Sequence, residues 1–176
     1  MNRSAATIEI GGIVPRSLIA KLTFFLWHAN LCDLEGGTVG EYPNLPKDYA
    51  DFIDGQLASD EGSSKPKGVV LSFSHSDAPG GAFQELEDFL EANKISFVRW
   101  NDSHPEWDSE LKVFRPDLNR LRSDEDVVVA SNLNHEALIP IETLRSALGM
   151  TDLKGFLDRY EGVGEELPPF RINENA

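Results

Sequence analysis

The chain has 176 residues, 40% of them apolar and 26% charged, with 30 acids against 16 Lys and Arg for a formal charge of −14. That length and composition are those of an ordinary globular chain with a real core, and they exclude global disorder. The acidity repels phosphate backbones and so argues against nucleic-acid binding, which depends on Lys and Arg displacing counterions.

No stretch approaches the roughly 18 consecutive apolar residues of a spanning helix, and the opening residues lack the apolar region of a signal peptide. A single cysteine, Cys32, precludes an internal disulfide. Together these features lead to the expectation of a cytoplasmic protein without a membrane anchor.

In chain order, Thr7 to Ile10 alternates and runs into Gly11-Gly12, which predicts a first strand ending in a turn. Pro15 then suits a helix start, and Val14, Leu18, Ile19, Leu22, Phe25, Leu26 and Ala29 recur at three- and four-residue intervals. A helix over 15–30 follows, stopped by Asn30. Phe24 and Trp27 widen its apolar stripe, making it either packed on several sides or a contact surface. His28 and Cys32 are four apart, but no further ligand stands at metal-site spacing, so the pair is read as incidental.

Thr38-Val39 reads as a short edge strand and 46–57 as a short helix, followed by a flexible polar connection over 58–67. Val69 to Phe73 is a compact apolar run bounded by Gly68 and a polar stretch, which predicts a central strand covered on both faces. Phe83, Leu86, Phe89 and Leu90 share one face of a helix over 83–92, whose other face carries Glu85, Glu87, Asp88 and Glu91. Asn93 is the expected left-handed stop. Ile95 to Trp100 and Leu111 to Phe114 read as strands joined by a long hairpin loop, giving a β-α-β-β unit with a right-handed crossover.

Val127 to Ala130 predicts another strand, Pro140 opens a helix over 140–148, and Thr151 caps a further short helix containing Leu153, Phe156, Leu157 and Tyr160. From Glu161 onward periodicity is lost, so 161–176 is expected to be a mobile acidic tail after a single domain over 1–160. The fold class is α/β, with α+β as the alternative: a mixed sheet of about five strands carrying three main helices.

Candidate chemistry concentrates in three places. The stretch from Ser74 to Gly81, read as the loop after the central strand, offers His75 and Asp77 as acid–base groups. Ser74, Ser76, Gly80 and Gly81 would contact a ligand there, because ligands gather at strand ends and helix N-termini. Asp102, His104, Glu106 and Asp108 alternate in the hairpin loop and would surround a divalent cation if that loop curled. His135 follows a later strand and would join His75 if both loops met at one edge.

No phosphate-loop lysine and no G-x-G-x-x-G is present, so no cofactor is expected. The reading favoured is a non-catalytic protein-interaction or accessory module, contacting a basic partner through the acidic helix 83–92 or the aromatic helix 15–30. The alternative is a small metal- or ligand-dependent enzyme built on Ser74 to Gly81.

Overall fold

A computed structural model describes residues 3–31, 70–105, 108–116, 127–131, 137–139, 141–148 and 165–173, with Tyr160, Val163 and Asn175. The expected strand at 38–39, the helices over 46–57 and from Thr151, and the connection over 58–67 lie outside these residues, apart from Tyr160.

The first strand, β1 (Arg3–Gly11), leads through the short β2 (Ile13–Pro15) into helix α1 (Arg16–His28). Strand β3 (Leu71–Pro79), helix α2 (Gln84–Ala92) and strand β4 (Ser96–Asn101) follow. Strands β5 (Glu110–Phe114), β6 (Val127–Ser131) and β7 (Ala137–Leu138), helix α3 (Ile141–Leu148) and strand β8 (Arg171–Asn173) complete the described elements. Six strands form one sheet in the order β3-β1-β4-β5-β6-β7, and every neighbouring pair is antiparallel. β2 and β8 form a separate parallel pair.

Two expectations are corrected here. The sheet is antiparallel rather than mixed, and Leu71 to Phe73 of the expected central run belong to β3, which among the described residues stands at the end of the sheet order, with β1 in the inner position expected for it. Leu71 and Phe73 are buried while Ser72 and Ser74 are exposed, so the strand is covered on one face only. The compact apolar run hides that alternation, because Val69 and Val70 precede it and break the period. β3 and β4 both run antiparallel to β1 and hence parallel to each other, so helix α2 does connect parallel strands, with β1 between them.

One face of the sheet carries Ile8 and Ile10 of β1, Leu71 and Phe73 of β3, and Phe97 and Phe114 of β4 and β5, all buried with α1 and α2 in a single apolar cluster. Ile19, Leu22 and Leu26 of α1 and Leu86, Phe89 and Leu90 of α2 fill it from the helix side. Each such side chain taken fully from water is worth about 1.5–3 kcal/mol. The two helices also touch each other, Phe25 against Phe89 with ring centroids 4.9 Å apart. The aromatic residues of α1 therefore include helix-packing contacts as well as the Phe24 to His28 stack. The opposite face holds a smaller cluster of Leu111, Val113 and Val129, against which Val98, Trp100, Tyr160 and Val163 pack.

Helix ends follow local chemistry. Asn30 stops α1 in the left-handed region at φ 55, as its amide side chain allows. After α2 the left-handed residue is Lys94 at φ 56, one position later than expected. Asn93 instead caps with its side chain, donating from Nδ2 to Phe89 O at 2.7 Å. The main chain closes the end with Ile95 N–H on Leu90 O at 2.9 Å. α3 matches the expected helix over 140–148, but Leu144 and Leu148 are exposed on it.

The tail is the third correction. Leu167 and Phe170 are buried, and β8 pairs with β2. Gly12 N–H donates to Pro168 O at 2.9 Å, and Arg171 N–H donates to Gly12 O at 2.9 Å. A Cβ on Gly11 would lie 2.3 Å from Pro168 O, so only glycine lets the tail backbone approach there. Arg115, buried on the body, donates to Glu166 O at 3.2 Å and clamps the segment from the other side. Two apolar side chains without periodicity suffice to anchor this stretch, which is why the loss of pattern after Glu161 misleads.

Candidate functional site

The stretch from Ser74 to Pro79 is strand rather than loop, continuing β3, the outermost strand among the described residues. Against β1 the register steps from Ala6↔His75 to Ser4↔Ala78, so Ser76 and Asp77 face the single residue Ala5 in a β-bulge. Serine and histidine side chains are tolerated here because alternate positions face solvent. Ser74 Oγ lies 2.8 Å from Thr7 Oγ1, and Arg3 donates to Asp77 Oδ2 at 2.6 Å. Asp77 N–H donates to His75 Nδ1 at 3.0 Å, which leaves that nitrogen unprotonated and the proton of the neutral ring on Nε2. Ser76 is exposed.

Gly80 and Gly81 form the turn after the strand, both at positive φ, 63° and 67°. A Cβ added at Gly80 would meet nothing within 4 Å, whereas one at Gly81 would stand 2.7 Å from Ser4 Oγ and 2.9 Å from Asn101 Nδ2. The close approach at Gly81 is thus made by the protein's own side chains.

In the hairpin loop, Asp102 and Asp108 are exposed and His104 is half-buried. Asp102 N–H donates to Ala5 O at 2.9 Å, tying the loop to β1. Glu106 and His135 lie outside the described residues. Among the described residues no three His, Cys, Asp or Glu side chains gather as a metal site would require. His28 is engaged with Glu85, Nδ1 to Oε2 at 3.1 Å, and Cys32 lies outside the described residues.

Among the described residues the densest arrangement of charge is elsewhere, between α2 and the helix-covered face of the sheet. Arg99 of β4 and Lys112 of β5 are directly paired across the ladder, both buried, and both point at Glu87 of α2. Lys112 Nζ is 3.0 Å from Glu87 Oε2 and 2.7 Å from Glu91 Oε1. Arg99 Nε is 3.3 Å from Glu87 Oε1, which also accepts the Phe83 N–H at 2.9 Å. Arg99 further reaches Glu110 at 3.6 Å and donates to Asn101 Oδ1. Burial by itself would lower the Lys112 pKa, but hydrogen bonds to Glu91 and Glu87 and the charges of those two carboxylates outweigh it and hold the ammonium well above its ordinary value. The ammonium also sits 5.6 Å from the Phe97 ring centroid.

Every charged head group in this cluster meets an opposite one, so its chemistry is to fix α2 in register on the sheet. The sequence pattern places Glu87 on the outer face, and the structure puts it inside. The signal that finds it is its spacing, four after Phe83 and three before Leu90, which puts it on the apolar stripe. Arg99 and Lys112 carry a weaker signal, each a single cation inside an apolar strand.

Among the described residues no helix is long and apolar enough to cross a membrane. The fold and its charged centre define a mixed α/β protein with a six-stranded antiparallel sheet. No protein family matches this sequence, and no curated protein or solved structure matches it either.

Proposed function

We propose that this protein is a non-catalytic interaction module whose acidic surface engages a protein partner carrying a basic face. The observation that supports this reading is the uneven burial of charge. Among the described residues Arg99, Lys112 and Arg115 are buried, but Glu87 is the sole buried acid. Among the described residues folding therefore withdraws more cations than anions from solvent, which adds to the acidic balance of a chain with a formal charge of −14. Glu85 and Asp88 stand exposed on the outer side of α2, Glu85 in its first turn near the positive end of the dipole. Such a surface steers a cationic protein by long-range attraction and disfavours duplex DNA.

Affinity capture at low salt with the immobilised protein tests this, alongside a Glu85→Lys/Asp88→Lys variant. The expected result is a stoichiometric protein partner released by raising the salt, since exposed charges are screened beyond about 8 Å at physiological ionic strength. The variant should capture markedly less. A partner indifferent to salt and to the variant overturns the reading.

A further inference from the structure

We draw no further inference here: the strongest candidate, the exposed apolar patch of Leu144 and Leu148 on α3, with Leu138 and Ile139 shortly before it in the chain, carries nothing because nothing in the structure shows what covers it.

Discussion

Lys112 Nζ lies 3.0 Å from Glu87 Oε2, joining the middle of β5 to the inner side of α2 through a layer that is otherwise apolar. The carboxylate is shared, since its other oxygen meets Arg99 and the Phe83 N–H. Replacing Glu87 by Gln should therefore destabilise the fold by about 3–5 kcal/mol, the cost of leaving buried charge uncompensated. Lys112→Met should cost less, because Glu87 keeps Arg99 and the backbone donor while the methionine stem fills most of the lysine's volume. Urea unfolding midpoints at neutral pH check the order. A Glu87→Gln variant as stable as the parent would show that the cluster does not hold α2 in place.

The same lysine sets an alkaline limit. Its pKa is raised in the folded state above the ordinary 10.5, so the native protein holds the proton more tightly than the unfolded chain does. The stabilisation is complete below pH 10.5 and is lost as pH rises through the folded-state pKa. Other lysines titrate in that range too, so the quantity to measure is the difference in unfolding free energy between the parent and Lys112→Met from pH 8 to 12. It should stay flat at the lower end and shrink above pH 10.5.

How far the sequence discloses this fold depends on which forces act locally. Helices α1 and α2 are legible because each carries its own apolar stripe, and the β4–β5 hairpin is legible because its turn residues sit between two apolar runs. The position of β3 is not, since an edge and a central strand differ in neighbours, and a run such as Val69-Val70-Leu71 carries no record of them. The bulge at Ser76 and Asp77 is equally silent, because turn-forming residues also serve on an exposed edge. Glu87 is open to a closer reading of helical phase, whereas its partners Arg99 and Lys112 are brought together only by the strand register.

The two turn glycines after β3 make a paired experiment. Gly80→Ala meets open space and carries only the strain of a positive φ, about 1–2 kcal/mol. Gly81→Ala bears the same strain and additionally drives a methyl against Ser4 and Asn101, which should add about 1–3 kcal/mol of overpacking. The difference between the two midpoints isolates the steric part. Equal losses would mean that Ser4 and Asn101 swing aside freely and that the close approach at Gly81 is not part of the packing.

The C-terminal segment offers the sharpest contrast between pattern and packing. Phe170 is 3% exposed and belongs to the main apolar cluster, while its neighbour Arg171 contributes a backbone N–H to Gly12 O and leaves its side chain outside. Phe170→Ala should cost about 3–5 kcal/mol, as large-to-small changes in a core do. At about 2–4 °C per kcal/mol for a chain of this size, the melting temperature should fall by roughly 6–20 °C. Arg171→Ala, which keeps the same backbone bond, should change stability by no more than about 0.5 kcal/mol. Removing residues 165–176 should be at least as damaging as Phe170→Ala, because it also strips Leu167 from the core, β8 from β2 and the Glu166 carbonyl from Arg115. A truncated chain that melts with the parent would return this segment to the role of a dispensable tail.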